Sequence, residues 1–327
     1  MKHILVLIVA LIGAPATADV TDAVNRHILP GYADFAEASE NLSVVAQQDC
    51  SPEAVRPAWN MAFDAWLGVS HLHFGPVEAK GRSVTIAFWP DERGAGARAL
   101  ASLIAGQDPV IETAEGTAQV SAAARGLFGL EYLLYDPQFA DAGAYGCDLI
   151  RALSADLAAI ADATLADWSG GYAEQLRTAG SPENRTFLTA REGTQALFTS
   201  LISGLEFTTL QRLGRPMGTF DRPRPNRAEA RRSARSLRNV DLSLRAMRNL
   251  TVTLTNGAAP ATLAAFDRAL TLVAALGDPD FSTVATPQGR LKVEVIQQAV
   301  HAIEISALTE IGPSLGVSAG FNSADGD

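Results

Sequence analysis

Cysteine is almost absent, with only Cys50 and Cys147 in 327 residues. Two thiols so far apart do not cluster, which disfavours a cysteine-based metal site. They suit one intrachain disulfide in an oxidising compartment, which the chain-entropy model values at about 4 kcal/mol before strain; two separate buried thiols are the alternative. Past the N-terminus no segment offers the roughly twenty uninterrupted apolar residues of a membrane-spanning helix. Positive charge is in deficit, 26 Lys and Arg against 36 Asp and Glu, which argues against general nucleic-acid binding. No His-Glu-x-x-His occurs, and no histidine has a glutamate three residues before it, so zincin and ferritin-like di-iron sites are disfavoured. Gly316-Val317-Ser318-Ala319-Gly320 matches a hydrolase elbow literally, yet no histidine follows it, and Ser318 is read as a decoy.

What is present starts with Met1-Lys2-His3, an apolar run from Ile4 to Ile12, and Ala16-Thr17-Ala18 before Asp19, the pattern of a cleavable secretory signal. Cleavage is expected after Ala18, making residues 1–18 a signal peptide and the remaining charge 25 minus 36, or −11. No cysteine sits at the cleavage point to carry a lipid anchor.

Alanine and leucine dominate, and apolar residues recur at helical spacing, so the expected class is all-α. Helices are expected over approximately Val20–Gln47, Glu53–Leu72, Ala97–Ile104, Ala118–Tyr135, Ala144–Leu176, Asn184–Leu213, Arg227–Thr255, Ala261–Leu276 and Leu291–Ile311. Pro30 should kink or divide the first. Ser83–Trp89 alternates Val84, Ile86 and Phe88 with smaller or polar residues and reads as a short extended segment. Gly170-Gly171 and Gly180-Ser181-Pro182 split the helices into two side-by-side bundles, residues 19–178 and 179–327.

Within the apolar run Gly126-Leu127-Phe128-Gly129-Leu130-Glu131-Tyr132-Leu133-Leu134-Tyr135 stands one carboxylate, Glu131. Burial favours the neutral acid unless a cation, a metal or hydrogen-bond donors compensate, which makes Glu131 the first candidate ligand group. A buried acid paired with an arginine or with backbone donors is the structural alternative. Arginines crowd the stretch from Arg212 to Arg248, including Arg231, Arg232, Arg235 and Arg238, against only Asp221, Glu229 and Asp241. This segment either binds an anion or pairs with acids of the other half, and the charge pattern favours intramolecular pairing along a solvated face. His71-Leu72-His73 is a weak metal pair and reads as surface or capping histidines. His301 and Glu304 read as a helical i,i+3 pair. Trp59, Trp66, Trp89 and Trp168 are candidates for a flat-ligand pocket such as one for haem, with core packing the more ordinary role.

The Gly126–Tyr135 run and the ending Leu315-Gly316-Val317-Ser318-Ala319-Gly320-Phe321-Asn322-Ser323-Ala324-Asp325-Gly326-Asp327 together resemble the imelysin family. Its hallmark is Gly-x-His-x-x-Glu before an apolar Tyr-Leu-Leu stretch, and its members often end in Gly-Phe-Asn-Ser-x-Asp-Gly-Asp. Gly126 and Glu131 match that hallmark, whereas Phe128 stands at the histidine. Further echoes are Ala58-Trp59 to Gly75-Pro76, Phe88-Trp89-Pro90-Asp91 and Leu213-Gly214-Arg215-Pro216. The resemblance implies a secreted, periplasmic protein associated with iron or metal uptake, its notable residues near the interface between two bundles. A phenyl ring has no lone pair, so a His/Glu metal pair at this spacing reduces to Glu131 alone. Expected ligand-binding residues are Glu131, Arg235 and Trp89, with Glu131 also the candidate ligand for iron or another divalent metal. Gly126, Phe128, Asn322 and Asp325 are motif residues, and the oxygen-rich tail is expected to fold back on the body rather than bind calcium. Expected partners are a metal ion or small ligand and iron-uptake proteins of the envelope. The family's metallopeptidase activity and a partner-binding module without catalysis are the competing functions, and with no nucleophile–base constellation, binding is expected ahead of catalysis.

Overall fold

A computed structural model describes residues 18–318 of the chain. The described residues are almost entirely helical. The principal helices are α1 (Leu29–Gln48), α2 (Pro52–Val69), α3 (Ala95–Gly106), α4 (Gly126–Tyr135), α5 (Gly143–Asp167), α6 (Ala190–Phe207), α7 (Ser236–Thr255), α8 (Pro260–Leu276) and α9 (Pro287–Ser306). No helix among the described residues is long and apolar enough to cross a membrane.

Each long helix buries one stripe. On α1 the buried positions are Tyr32, Phe35, Ser39, Leu42 and Ala46, spaced by three and four, the spacing that keeps side chains on one helical face. α1 lies against α2 and α5, and α4 packs on α2 and α5, forming one bundle. α6 to α9 form the second: α8 contacts α7 and α9, and α6 contacts α7 and α9. α7 also packs on α2, which joins the two side-by-side bundles. Three tryptophans serve the core: Trp59 and Trp168 are fully buried and Trp66 nearly so. Trp59 donates its ring N–H to the Leu127 carbonyl, 3.0 Å away, so its one polar atom is satisfied and α2 is tied to α4.

The helical run continues through Pro30, which stands in the first turn of α1 directly after a π-turn at Val24–Ile28. Three other readings need correction. Residues 82–86 form a short helix, Arg82–Ile86, rather than an extended segment. An extended chain would place Val84 and Ile86 on one face, but Val84 is 51% exposed and Ile86 fully buried. The expected helix from Ala118 starts only at Gly126, whose φ is +61° and where a Cβ would overlap the Thr85 and Ile86 carbonyls. Only glycine meets both conditions. The expected helix from Arg227 starts only at Ser236, because Ala230 and Ala234 adopt left-handed conformations (φ +46° and +54°) and Ser236 Oγ donates to the Glu229 carbonyl at 2.6 Å.

Cys50 and Cys147 form the expected disulfide, bridging the end of α1 to the start of α5 across 97 residues. The chain-entropy model gives a loop of that length about 4–5 kcal/mol. Reduction of the disulfide should therefore lower the unfolding free energy measured in urea by that order, with a Cys50→Ser/Cys147→Ser variant matching the reduced wild type. Equal midpoints for oxidised and reduced protein would remove the bridge as a source of stability.

Candidate functional site

Glu131 occupies the middle of α4 and is 1% exposed. One of its carboxyl oxygens, Oε1, accepts from the backbone N–H of Ser233 at 3.0 Å and from the Ser233 hydroxyl at 2.8 Å. Oε2 has no hydrogen bond among the described residues. Burial pushes this carboxyl above its ordinary range, against the pull of the two Ser233 bonds and of the Arg232 and Arg231 charges. Ser233 belongs to the turn between Ala230 and Ala234, the two left-handed alanines. Alanine at positive φ costs energy that surrounding structure must sustain, and such strain gathers at functional sites. Here the turn delivers both Ser233 donors to a carboxyl of the other bundle.

The arginines of this turn also reach into the first bundle. Arg232 donates through Nε to Asp136 at 2.5 Å and lies 4.0 Å from the centre of the Tyr132 ring. Arg235, 2% exposed, donates to Asn60 Oδ1 at 2.5 Å and to Asp64 at 2.6 Å, with its guanidinium over the Phe63 and Trp59 rings. Arg238 grips the same Asp64 with two nitrogens. Burial works against the Asp64 carboxylate, but bonds from Arg238 and Arg235 hold it below its usual range. Arg215 pairs with Glu92 at 2.9 Å. Arg215, Arg232, Arg235 and Arg238 thus pair with acids of the first half, and Arg212, Arg245 and Arg248 with acids of their own half, the intramolecular pairing the charge pattern favoured.

Glu131 lines a cavity of about 140 Å³ together with Trp89, Asp91, Glu92, Phe128, Tyr132, Arg215, Arg227 and Arg232. Two of the expected ligand residues, Glu131 and Trp89, therefore share one cavity. Arg235 does not line it and is committed to Asn60 and Asp64; Arg215, Arg227 and Arg232 stand there instead. They were legible only as members of a basic stretch, because choosing among them requires the turn geometry. Phe128 fills the motif's histidine position with a ring edge-on to Phe63, 5.5 Å between centres. Asp91 and Glu92 share the cavity with Glu131 but have other partners, and no group of three or more His, Cys, Asp or Glu suited to a metal ion occurs among the described residues. With three arginines in the wall, the residues present do not fit a bare cation. Asn322 and Asp325 lie outside the described residues.

His71 corrects the reading of its segment. It is 4% exposed, and its Nε2 lies 3.0 Å from Nε2 of His27, itself 5% exposed, while the His27 Nδ1 meets Asn249 at 3.3 Å. Burial brings His27 down to about 4, and burial together with the charges of His27, His73 and Arg212 carries His71 well below its ordinary value. His73 remains half-exposed, 3.6 Å from Glu78. His301 and Glu304 form the expected helical pair at 3.2 Å.

A sequence model of the imelysin family, Peptidase M75, matches residues 28–307. The chain belongs to the imelysin family. Its fold is similar to the crystal structure of an imelysin-like protein from Psychrobacter arcticum 273-4, with a TM-score of 0.77, 23% identity, and coverage of 92% of this chain and 96% of that one. It is also similar to an iron-regulated protein A precursor from Parabacteroides distasonis ATCC 8503, with a TM-score of 0.71, 13% identity, and coverage of 90% and 96%. No curated protein matches the sequence. In this imelysin-family chain the hallmark glycine serves the Gly126 turn against Thr85 and Ile86, and the hallmark glutamate is the buried acid of the cavity.

Two predictions follow from these geometries. Glu131→Gln preserves an oxygen acceptor for Ser233 without a titratable charge, so at pH 7 it should be at least as stable as wild type. Glu131→Ala strands the Ser233 donors and should cost about 1–3 kcal/mol; equal urea midpoints for both variants would place the Ser233 bonds outside the stability of the fold. The histidine pair gives a pH window. The unfolded chain protonates histidine near 6.5 while folded His27 resists to about 4, so stability should fall as pH drops through that interval, by up to about 3 kcal/mol for His27 alone. His27→Gln should flatten the melting temperature between pH 6.5 and 4, and an unchanged slope would exclude His27 as a source of the acid sensitivity.

Proposed function

We propose that this imelysin-family chain is a periplasmic binding protein of iron or metal acquisition, exported by the signal peptide at residues 1–18, whose ligand enters the cavity on Glu131. In this reading residues 19–178 and 179–327 are the two bundles, and the cavity takes Glu131 and Trp89 from the first and the 215–232 arginines from the second. The observation that carries it is a buried carboxyl with one oxygen, Oε2, uncommitted among the described residues, in a cavity walled by both halves of the chain. Buried polar groups placed in a cavity of this kind fix the orientation of a small ligand. The iron link is supported by the likeness to the iron-regulated protein A precursor of Parabacteroides distasonis and by the family resemblance. Phe128 in place of the motif histidine sets binding ahead of peptidase chemistry, because the His/Glu pair that holds a metal or polarises a water is missing one member.

A thermal-shift screen of the oxidised, signal-free protein against ferrous, ferric, zinc, copper and calcium ions, haem, and iron chelates tests the reading. A ligand at one hundred times its dissociation constant raises stability by about 2.7 kcal/mol. The expected result is a shift for one ligand class that Trp89→Ala reduces. A flat screen, or a shift indifferent to Trp89, would turn attention to an envelope partner bound on the outer surface.

A further inference from the structure

We infer that the Glu131 cavity recognises the carboxylate of a small organic acid, free or as the outer face of a metal chelate, rather than a bare metal ion. This rests on the proposed binding role and narrows its ligand. Four guanidinium groups act on the cavity. Arg215, Arg227 and Arg232 line it, and the Arg231 charge is felt at Glu131. The acids nearby are already committed. Asp91 accepts from the backbone N–H groups of Ala95 and Gly96 at 2.8 Å each, Glu92 pairs with Arg215, and Asp136 with Arg232.

Two groups are left with unmet capacity. Arg215 Nε is buried without a hydrogen-bond partner among the described residues, although the same guanidinium meets Glu92 through its NH2 group. Arg227 is exposed and forms no ion pair among the described residues. A planar guanidinium with unused N–H groups matches a carboxylate in shape and charge, whereas it repels a cation. Glu131 supplies the complementary contact. Its Oε1 is an acceptor for Ser233, so a proton on the acid belongs on Oε2, from which it is donated to the incoming carboxylate. Two carboxyl groups that close together share one proton, because both cannot remain ionised side by side. The proton comes from solvent if Glu131 is ionised before binding, and it returns there on release.

Size sets the rest of the class. A cavity of about 140 Å³ is smaller than the roughly 300–1,000 Å³ pockets of drug-sized ligands. That suits an acid of four to six carbons and excludes a porphyrin. Trp89 and Phe128 supply apolar walls for the carbon skeleton.

Calorimetry on the oxidised, signal-free protein at pH 6 decides the matter, with succinate, malate, citrate, ferric citrate, and ferric and zinc ions delivered without carboxylate ligands. At least one carboxylate should bind. Glu131→Gln should keep its affinity at pH 6 within about threefold, since glutamine still donates toward the ligand, but should abolish the loss of affinity that wild type shows as rising pH removes the Glu131 proton. Arg215→Met should lose tenfold or more. Arg227→Met, at an exposed position with no ion pair to break, should lose severalfold with an unchanged melting temperature, which guards against misfolding as the cause. Equal affinity for citrate and ferric citrate identifies the free acid as the recognised species, and preference for the ferric form identifies the chelate. Binding of a metal ion alone that Glu131→Gln abolishes would overturn the carboxylate inference while leaving the binding role intact. Silence from every ligand would overturn both.

Discussion

A carboxyl group taken out of water into an apolar helix has to be met by something, and in this chain it is met from the other bundle. Glu131 depends on the two donors of Ser233, Ser233 depends on a turn that holds two alanines at positive φ, and that turn is held by its arginines. Arg232 on Asp136, and Arg235 and Arg238 on Asp64, clamp it to the first bundle. The junction between the bundles and the candidate site are therefore one polar assembly rather than two features that happen to adjoin.

Its energetics favour specificity over raw stability. Buried charges such as Arg235 return little net free energy once desolvation is counted, but removing one partner is costly because the other remains buried and uncompensated. An apolar junction of equal area would tolerate many relative orientations. Asp64, gripped by Arg238 and by Arg235, which also meets Asn60 and the Phe63 ring, tolerates few. The cost of the left-handed alanines, roughly 1–3 kcal/mol each, is sustained by the same network. The cavity thereby acquires fixed walls, a condition for selective recognition of a small ligand.

The helical architecture was open to sequence reading because local periodicity encodes it. The α1 stripe from Tyr32 to Ala46 needs no tertiary information. The lone acid at Glu131 was equally visible, since an ionisable group in an apolar helix stands out wherever the helix packs. Reading failed where distant backbone decides conformation. Val84, Ile86 and Phe88 alternate like a strand, yet the segment turns helical where the Gly126 backbone closes against Thr85 and Ile86. His71 looked like a surface residue because its partner, His27, lies 44 positions away. Arg235 was a reasonable ligand by charge, but only the contact with Asp64 shows that its guanidinium is already committed.

By itself, then, the sequence determined the all-α class, the pairing of its two cysteines, the kinship with imelysins and the identity of the unusual acid, because each is written in short-range spacing or composition. Tertiary structure alone decided which arginines face that acid, that Ser233 supplies its donors, and that Trp89 and Glu131 share a cavity. The first two relations join residues on the order of a hundred positions apart through a strained turn, and no local pattern records where such a turn will land.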